Sequence, residues 1–478
     1  MKVIIFKNNE ASQMKHSTTT LTLSSVILFG LLGFSFTANA SETPSESAVI
    51  IDRTLSHEDI DPAVYFKENG ANDPYGAVYK TFRERRANDM ADPNKPSPIE
   101  PYEAVHRSQE KPWNTLEEIL PFDWESLRKD FPLEAKQLSQ AVKARLVFDH
   151  PDIKITQLMV GPGATLPGHA GGSPGFYYVI DGSGQVTVAG KTQTVTAGAI
   201  IKLNPYDVRR IYADTDKALK IVWIRWAPDG DQSFMAAGYY LTGANQHVQP
   251  KEGVLPNDYQ FWGEKLSSTP VTKPTSAVNA STKGSLFADQ SLALLNAKKQ
   301  LGQKSNPYPS APTFSHESDS DWLSKDVKGA NYFWFKDISK LGGLLDRWVE
   351  VMRYKGIFQA ARPDGGWDFN ISQMVWGPHS RYVEHSHSIP EFYYMLSGPV
   401  EHWIGDEKYI AMPGDIFTTN SYVPHQSRGI VDGLAFRNIG ASWAPNGDRE
   451  VFKKPFYLVE PLKAQPAKSI LGDSPKFH

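Results

Sequence analysis

Cysteine is absent from all 478 residues. No thiolate nucleophile, thiolate metal site or disulfide is available, so any metal must be held by histidine and carboxylate. An excess of either charge is also missing: 50 Lys plus Arg stand against 53 Asp plus Glu, a net charge of −3. That balance argues against nucleic acid as a partner. Beyond the first 40 residues, no apolar run is long enough to cross a bilayer. The mature chain is therefore expected to have no stable membrane span.

Turn formers and rings are plentiful. Gly 36, Pro 34 and 12% aromatics suit a turn-rich β protein better than a helical bundle. A 40% hydrophobic content is enough for a sizeable core, and the length suggests two or three domains.

Residues 1–40 read as a secretory signal peptide. Lys15 and His16 precede an apolar run from Leu21 to Phe36, and Ala38-Asn39-Ala40 offers small residues at a cleavage site. Cleavage there would remove Lys2, Lys7, Lys15 and Glu10, moving the net charge to −5. The expected location is periplasmic. Residues 41–100, polar, charged and Pro-rich, are expected to form an N-terminal arm. Leu133 to Leu146 reads as one amphipathic helix, with strand patterns starting near Ile153. The stretch 263–320 reads as a linker with a short helix at Ser285 to Leu301, and strand patterns resume at Tyr332.

An internal repeat organises the rest. Ile155-Thr156-Gln157-Leu158-Met159-Val160-Gly161-Pro162 aligns with Ile371-Ser372-Gln373-Met374-Val375-Trp376-Gly377-Pro378, an offset of 216. The same offset places Phe176-Tyr177-Tyr178 on Phe392-Tyr393-Tyr394 and Gly182 on Gly398. One residue later, Trp226-Ala227-Pro228-Asp229-Gly230-Asp231 matches Trp443-Ala444-Pro445-Asn446-Gly447-Asp448. So long a period marks two copies of one domain, expected over 101–262 and 321–478, rather than a solenoid.

The second copy carries the chemistry. His385 and His387, two apart on a strand, point one way; Glu391 and Tyr393 share a face of the next strand; His425 can arrive from a third. Three imidazoles and a carboxylate form an N/O site for one divalent transition metal: iron, manganese, zinc, nickel or cobalt. The spacing H-x-H-x3-E-x6-G over His385, His387, Glu391 and Gly398, followed by Gly414 and His425, resembles the cupin signature. Asn420 and Tyr422 stand where cupins usually have Pro and Gly. That resemblance implies an all-β fold: two cupin barrels (double-stranded β-helix, or jelly-roll), with an N-terminal arm and short helices. The first copy keeps Gly163, His169 and Gly182 but has Gly171, Gly175 and Arg209 at the other ligand positions. One imidazole cannot hold a catalytic metal, and a guanidinium repels one, so this domain is expected to be metal-free. It is either a structural partner for the other barrel, or a domain whose Arg209 binds a carboxylate in a fork.

The H-x-H-x3-E-x-Y run, with His425 34 residues after Glu391, further resembles the cupin-type dimethylsulfoniopropionate lyases. It implies an enzyme acting on a small carboxylate-bearing substrate by β-elimination, although those lyases are mostly single-domain and this chain reads as a bicupin with an export signal. Tyr393 would be the base, Tyr382 would lie near the barrel mouth, and Arg428 is a weaker candidate to anchor a carboxylate. An iron-dependent dioxygenase is the alternative, and a non-catalytic ligand-binding bicupin a second. A homo-oligomer is compatible with either. His379 and His402 read as surface or loop histidines rather than further ligands.

Overall fold

The structure is a computed structural model. It describes residues 87–88, 91, 104–120, 122, 124–130, 132–242, 285–322, 352–376, 381–405, 407–430, 435–453 and 456–458. The expected signal peptide, most of the N-terminal arm, and Tyr332 and His379 lie outside the described residues.

Twelve strands precede residue 285: β1 Val105–His106, β2 Asn114–Thr115, β3 Val142–Asp149, β4 Ile153–Val160, β5 Thr165–Gly171, β6 Gly175–Asp181, β7 Ser183–Val188, β8 Lys191–Thr196, β9 Ala199–Leu203, β10 Arg209–Ala213, β11 Leu219–Trp226 and β12 Tyr239–Leu241. Eleven follow: β13 Phe314–His316, β14 Met352–Ala361, β15 Trp367–Trp376, β16 Arg381–His387, β17 Glu391–Met395, β18 Val400–Ile404, β19 Glu407–Ala411, β20 Ile416–Thr419, β21 His425–Gly429, β22 Phe436–Trp443 and β23 Phe456–Leu458.

They form two barrels, each of two antiparallel sheets. The N-terminal barrel joins the sheet β13-β9-β6-β11-β4-β3-β2 to the sheet β12-β5-β10-β7-β8; the C-terminal barrel joins β1-β20-β17-β22-β15-β14 to β19-β18-β21-β16-β23. The two-barrel, all-β architecture expected from the repeat is what the chain adopts. Each barrel also borrows a strand. β1, ahead of the N-terminal barrel, pairs with β20 of the C-terminal one, and β13, ahead of the C-terminal barrel, pairs with β9 of the N-terminal one.

The helix expected over Leu133 to Leu146 stops earlier. Helix spans Pro132–Ala141, and Val142 onward is β3, whose Val142, Ala144, Val147 and Phe148 are buried. Pairing of seven residues with β4 satisfies more backbone groups than another helical turn would, so tertiary context overrides the local pattern. The helix over Ser285–Leu301 has the expected bounds, within what was read as a linker. Among the described residues, no helix is long and apolar enough to cross a membrane.

An aromatic layer lies between the barrels. Phe176 and Trp226 from one meet Phe358, Phe369, Phe392 and Trp443 from the other in one buried cluster; the Trp226 and Phe369 rings stack with centroids 4.9 Å apart. The repeated Trp-Ala-Pro-Asp/Asn-Gly-Asp segment also belongs to this interface. Asp229 and Asn446 have φ of 54° and 51°, and Gly230 and Gly447 have φ of 70° and 79°. A Cβ on Gly230 would lie 2.2 Å from the Asn446 carbonyl carbon, and one on Gly447 2.2 Å from the Asp229 carbonyl oxygen. Two left-handed turns thus pack backbone to backbone, which only glycine permits.

Candidate metal centre

The site bridges the two sheets of the C-terminal barrel. β16 and the turn Ser388-Ile389-Pro390 lead into β17, so His385 and His387 come from one sheet and Glu391 and Tyr393 from the facing one. β21 pairs with β16 so that His425 lies opposite His385. All three imidazoles are buried, and one ring nitrogen from each lies within 4.8 Å of the others. Glu391 Oε2 is 3.2 Å from His387 Nε2 and 3.9 Å from His425 Nε2. The four residues singled out by spacing are therefore brought together.

Local structure fixes the tautomers. His387 Nδ1 lies 2.7 Å from the Ile389 carbonyl and His425 Nδ1 2.9 Å from that of Val423. Each Nδ1–H donates to its carbonyl, which turns the Nε2 lone pair toward the centre, the usual outer support of a ligating histidine. The charges suit a cation too. Burial pushes the Glu391 carboxyl up, but the charges of its neighbours, His387 foremost, and the hydrogen bond from Tyr393 hold it down at about 2. Burial, with His387 beside it, depresses His425 to about 4 against a smaller upward pull from Glu391. At neutral pH the site thus offers a carboxylate and a neutral imidazole. The buried Nε2 of His425 accepts no hydrogen bond. A buried acceptor left unpaired is costly, and a cation at ~2 Å ligand distances would relieve it. The donor set fits one divalent transition metal held by His385, His387, Glu391 and His425.

Around this set, Tyr393 donates its hydroxyl to Glu391 Oε2 at 2.5 Å, and Ser442 donates to Oε1 at 2.9 Å. Tyr382 lies on β16 opposite Ser427, with a register shift between it and His385. Arg428 is half-buried on β21; strand alternation gives it the face opposite that of His425 and Ser427, so the fold does not bring it to the imidazoles. Arg209 lies in the other barrel, its Nε 3.2 Å from His169 Nε2.

Two neighbours were not anticipated. Ser442 faces Glu391 across β17 and β22, a pairing that follows from no local pattern. His402, expected at the surface, is fully buried: it stacks on Phe417 with centroids 4.1 Å apart, and its Nδ1 is 2.5 Å from Ser427 Oγ. The alternation of β18, where Val400 and His402 are buried and Glu401 is not, was the available signal.

The other barrel has lost this set. A Cβ on Gly171, the counterpart of His387, would lie 2.4 Å from the Tyr239 ring, which fills that space. His169 is depressed to about 3 by burial and by the Arg209 charge.

The chain matches the Cupin domain family twice, over residues 156–225 and 373–434, one match in each barrel. It carries two such domains, the bicupin arrangement. No curated protein matches it. Among solved structures it is similar to a point mutant of oxalate decarboxylase from Bacillus subtilis, at 15% identity and a TM-score of 0.39, over 64% of this chain and 73% of that one. It is also similar to procruciferin, an 11S globulin from Brassica napus, at 11% identity and 0.41, over 64% and 82%. A third is AerE from Microcystis aeruginosa, at 8% identity and 0.36, over 63% and 92%.

Proposed function

We propose that the C-terminal barrel is the active site of a metal-dependent enzyme acting on a small carboxylate-bearing substrate by β-elimination, in the manner of cupin-type dimethylsulfoniopropionate lyases. The observation that carries this reading is the Tyr393 hydroxyl, 2.5 Å from a carboxylate that itself sits against buried imidazoles. A divalent ion bound there supplies Lewis-acid polarisation of a substrate carboxylate and positive charge that lowers the pKa of a nearby phenol. Glu391, kept ionised by its neighbours, orients the Tyr393 oxygen, and Ser442 holds the other carboxylate oxygen in place. As the phenolate, its own proton having been released to solvent before substrate binds, Tyr393 then takes the proton α to the substrate carboxylate. The C–H electron pair becomes the new C=C bond as the β-substituent leaves with its own bonding pair. Burial of His385, His387, His402 and His425 keeps bulk water from competing for that proton.

The test is anaerobic incubation of the metal-reconstituted full chain with dimethylsulfoniopropionate, following acrylate and dimethyl sulfide. Turnover without oxygen is expected. Strict oxygen dependence would favour the iron-dependent dioxygenase, and no turnover of any small carboxylate with metal bound would favour a ligand-binding bicupin. The same proposal places the enzyme in the periplasm after removal of residues 1–40.

A further inference from the structure

The N-terminal barrel encloses two cations that no acidic group among the described residues answers. Arg209 is fully buried and Arg225 nearly so, and among the described residues neither forms an ion pair with a carboxylate. Arg209 bonds His169 through its Nε and sits beside the Tyr177 hydroxyl, but neither terminal nitrogen makes a well-formed hydrogen bond. Its guanidinium carbon lies 5.3 Å from the centre of the Trp223 ring and 6.0 Å from those of Tyr177 and Tyr239. Arg225 stacks on the same Trp223, at 4.2 Å, and bonds Tyr239 and Thr156 while its Nε stays unpaired. The Trp223 Nε1–H is likewise buried without a hydrogen-bond partner. Ring faces offset part of two buried charges, but repulsion between guanidiniums and a set of unanswered donors remain.

Comparison of the barrels shows what is missing. Glu391 lies opposite Ser442 in the C-terminal barrel; in the same register, Gly175 lies opposite Arg225. Where one barrel holds a negative group, the other has no side chain there and a positive group opposite. The chain cannot restore the negative charge at that point, since a Cβ on Gly175 would lie 2.4 Å from the Ile224 carbonyl oxygen. No described residue supplies the counter-charge, and a planar guanidinium matches a planar two-oxygen anion.

We propose that the N-terminal barrel binds a small carboxylate anion in the fork of Arg209, with Arg225 and the Trp223 indole N–H beside it. This barrel is then a ligand-binding domain in its own right, independent of the metal reading of the other. Acetate is the probe: calorimetric titration into the metal-free full chain, with chloride in a parallel titration. One acetate per chain is expected. Arg209→Lys, which keeps the charge and loses the fork, should weaken binding at least ten-fold, and His425→Ala should leave it unchanged. If Arg209→Lys does not fold, Trp223→Phe, which removes one donor, should still weaken acetate several-fold. Absence of saturable acetate binding, equal affinity for chloride, full affinity in these Arg209 or Trp223 variants, or loss in His425→Ala would each overturn the proposal. None of these results bears on metal binding by the C-terminal barrel.

Discussion

Tyr393 and Glu391 stand two apart on β17, so strand alternation forces both into the barrel, and the 2.5 Å hydrogen bond between them follows. Tyr393→Phe removes only the hydroxyl from a ring that is 5% exposed, so the barrel should stay folded. Turnover should fall about 10²-fold or more with metal content unchanged, measured by single-turnover assay and metal analysis. His385, His387 and Glu391 were legible because H-x-H-x3-E is a local spacing, and His425 through the motif distance of 34 residues from Glu391. Ser442 was not, because it reaches Glu391 across 51 residues of sequence.

His169 makes a second prediction at this scale, one of stability. Burial and Arg209 hold its folded pKa at about 3, against 6.5 for an unperturbed histidine. Below pH 6.5 the unfolded chain takes up a proton that the folded chain refuses, so stability is lost as pH falls, down to about pH 3 where the penalty saturates. Between pH 7 and 5 the cost is about 2 kcal/mol. His169→Gln, compared with the parent by chemical denaturation at both pH values, should show a pH dependence smaller by about that amount. An unchanged difference would mean His169 is protonated in the fold.

Among the elements, those that join the barrels mattered more than the sequence suggested. The Trp-Ala-Pro-Asp/Asn-Gly-Asp segments stand out in the sequence as a repeat, yet their role is to meet each other through Gly230 and Gly447. β1 and β13 were invisible as strands, since two- and three-residue segments carry no periodicity and owe their form to the sheet edges they join. The same interface makes Trp226, fully buried against Phe369, a sensitive position. Trp226→Ala should cost about 3–5 kcal/mol. Because the cluster draws on both barrels, denaturation followed by circular dichroism and by fluorescence should lose both together in one transition. Separate transitions at different denaturant concentrations would show that the barrels are energetically independent.

Across the whole molecule, the two barrels share a scaffold and differ in what they enclose. One gathers three imidazoles and a carboxylate; the other gathers two guanidiniums, one imidazole and a tyrosine ring in the place of the second histidine. The sequence showed this asymmetry through Gly171, Gly175 and Arg209, although Tyr239 could be placed only by the pairing of β12 with β5. Export is the proposal that concerns the chain's beginning. N-terminal sequencing of protein recovered from the periplasm should start at or near Ser41, and a mature chain retaining Leu21 in the membrane fraction would exclude it.

Metal stoichiometry tests the central claim most directly. Elemental analysis of the purified full chain, loaded with a single divalent transition metal and desalted, should give one ion per chain. His385→Ala, His387→Ala and His425→Ala should each reduce it close to zero, and His169→Gln should leave it at one. Two ions per chain, or one that survives loss of His425 and disappears with His169, would contradict the assignment of the centre to the C-terminal barrel.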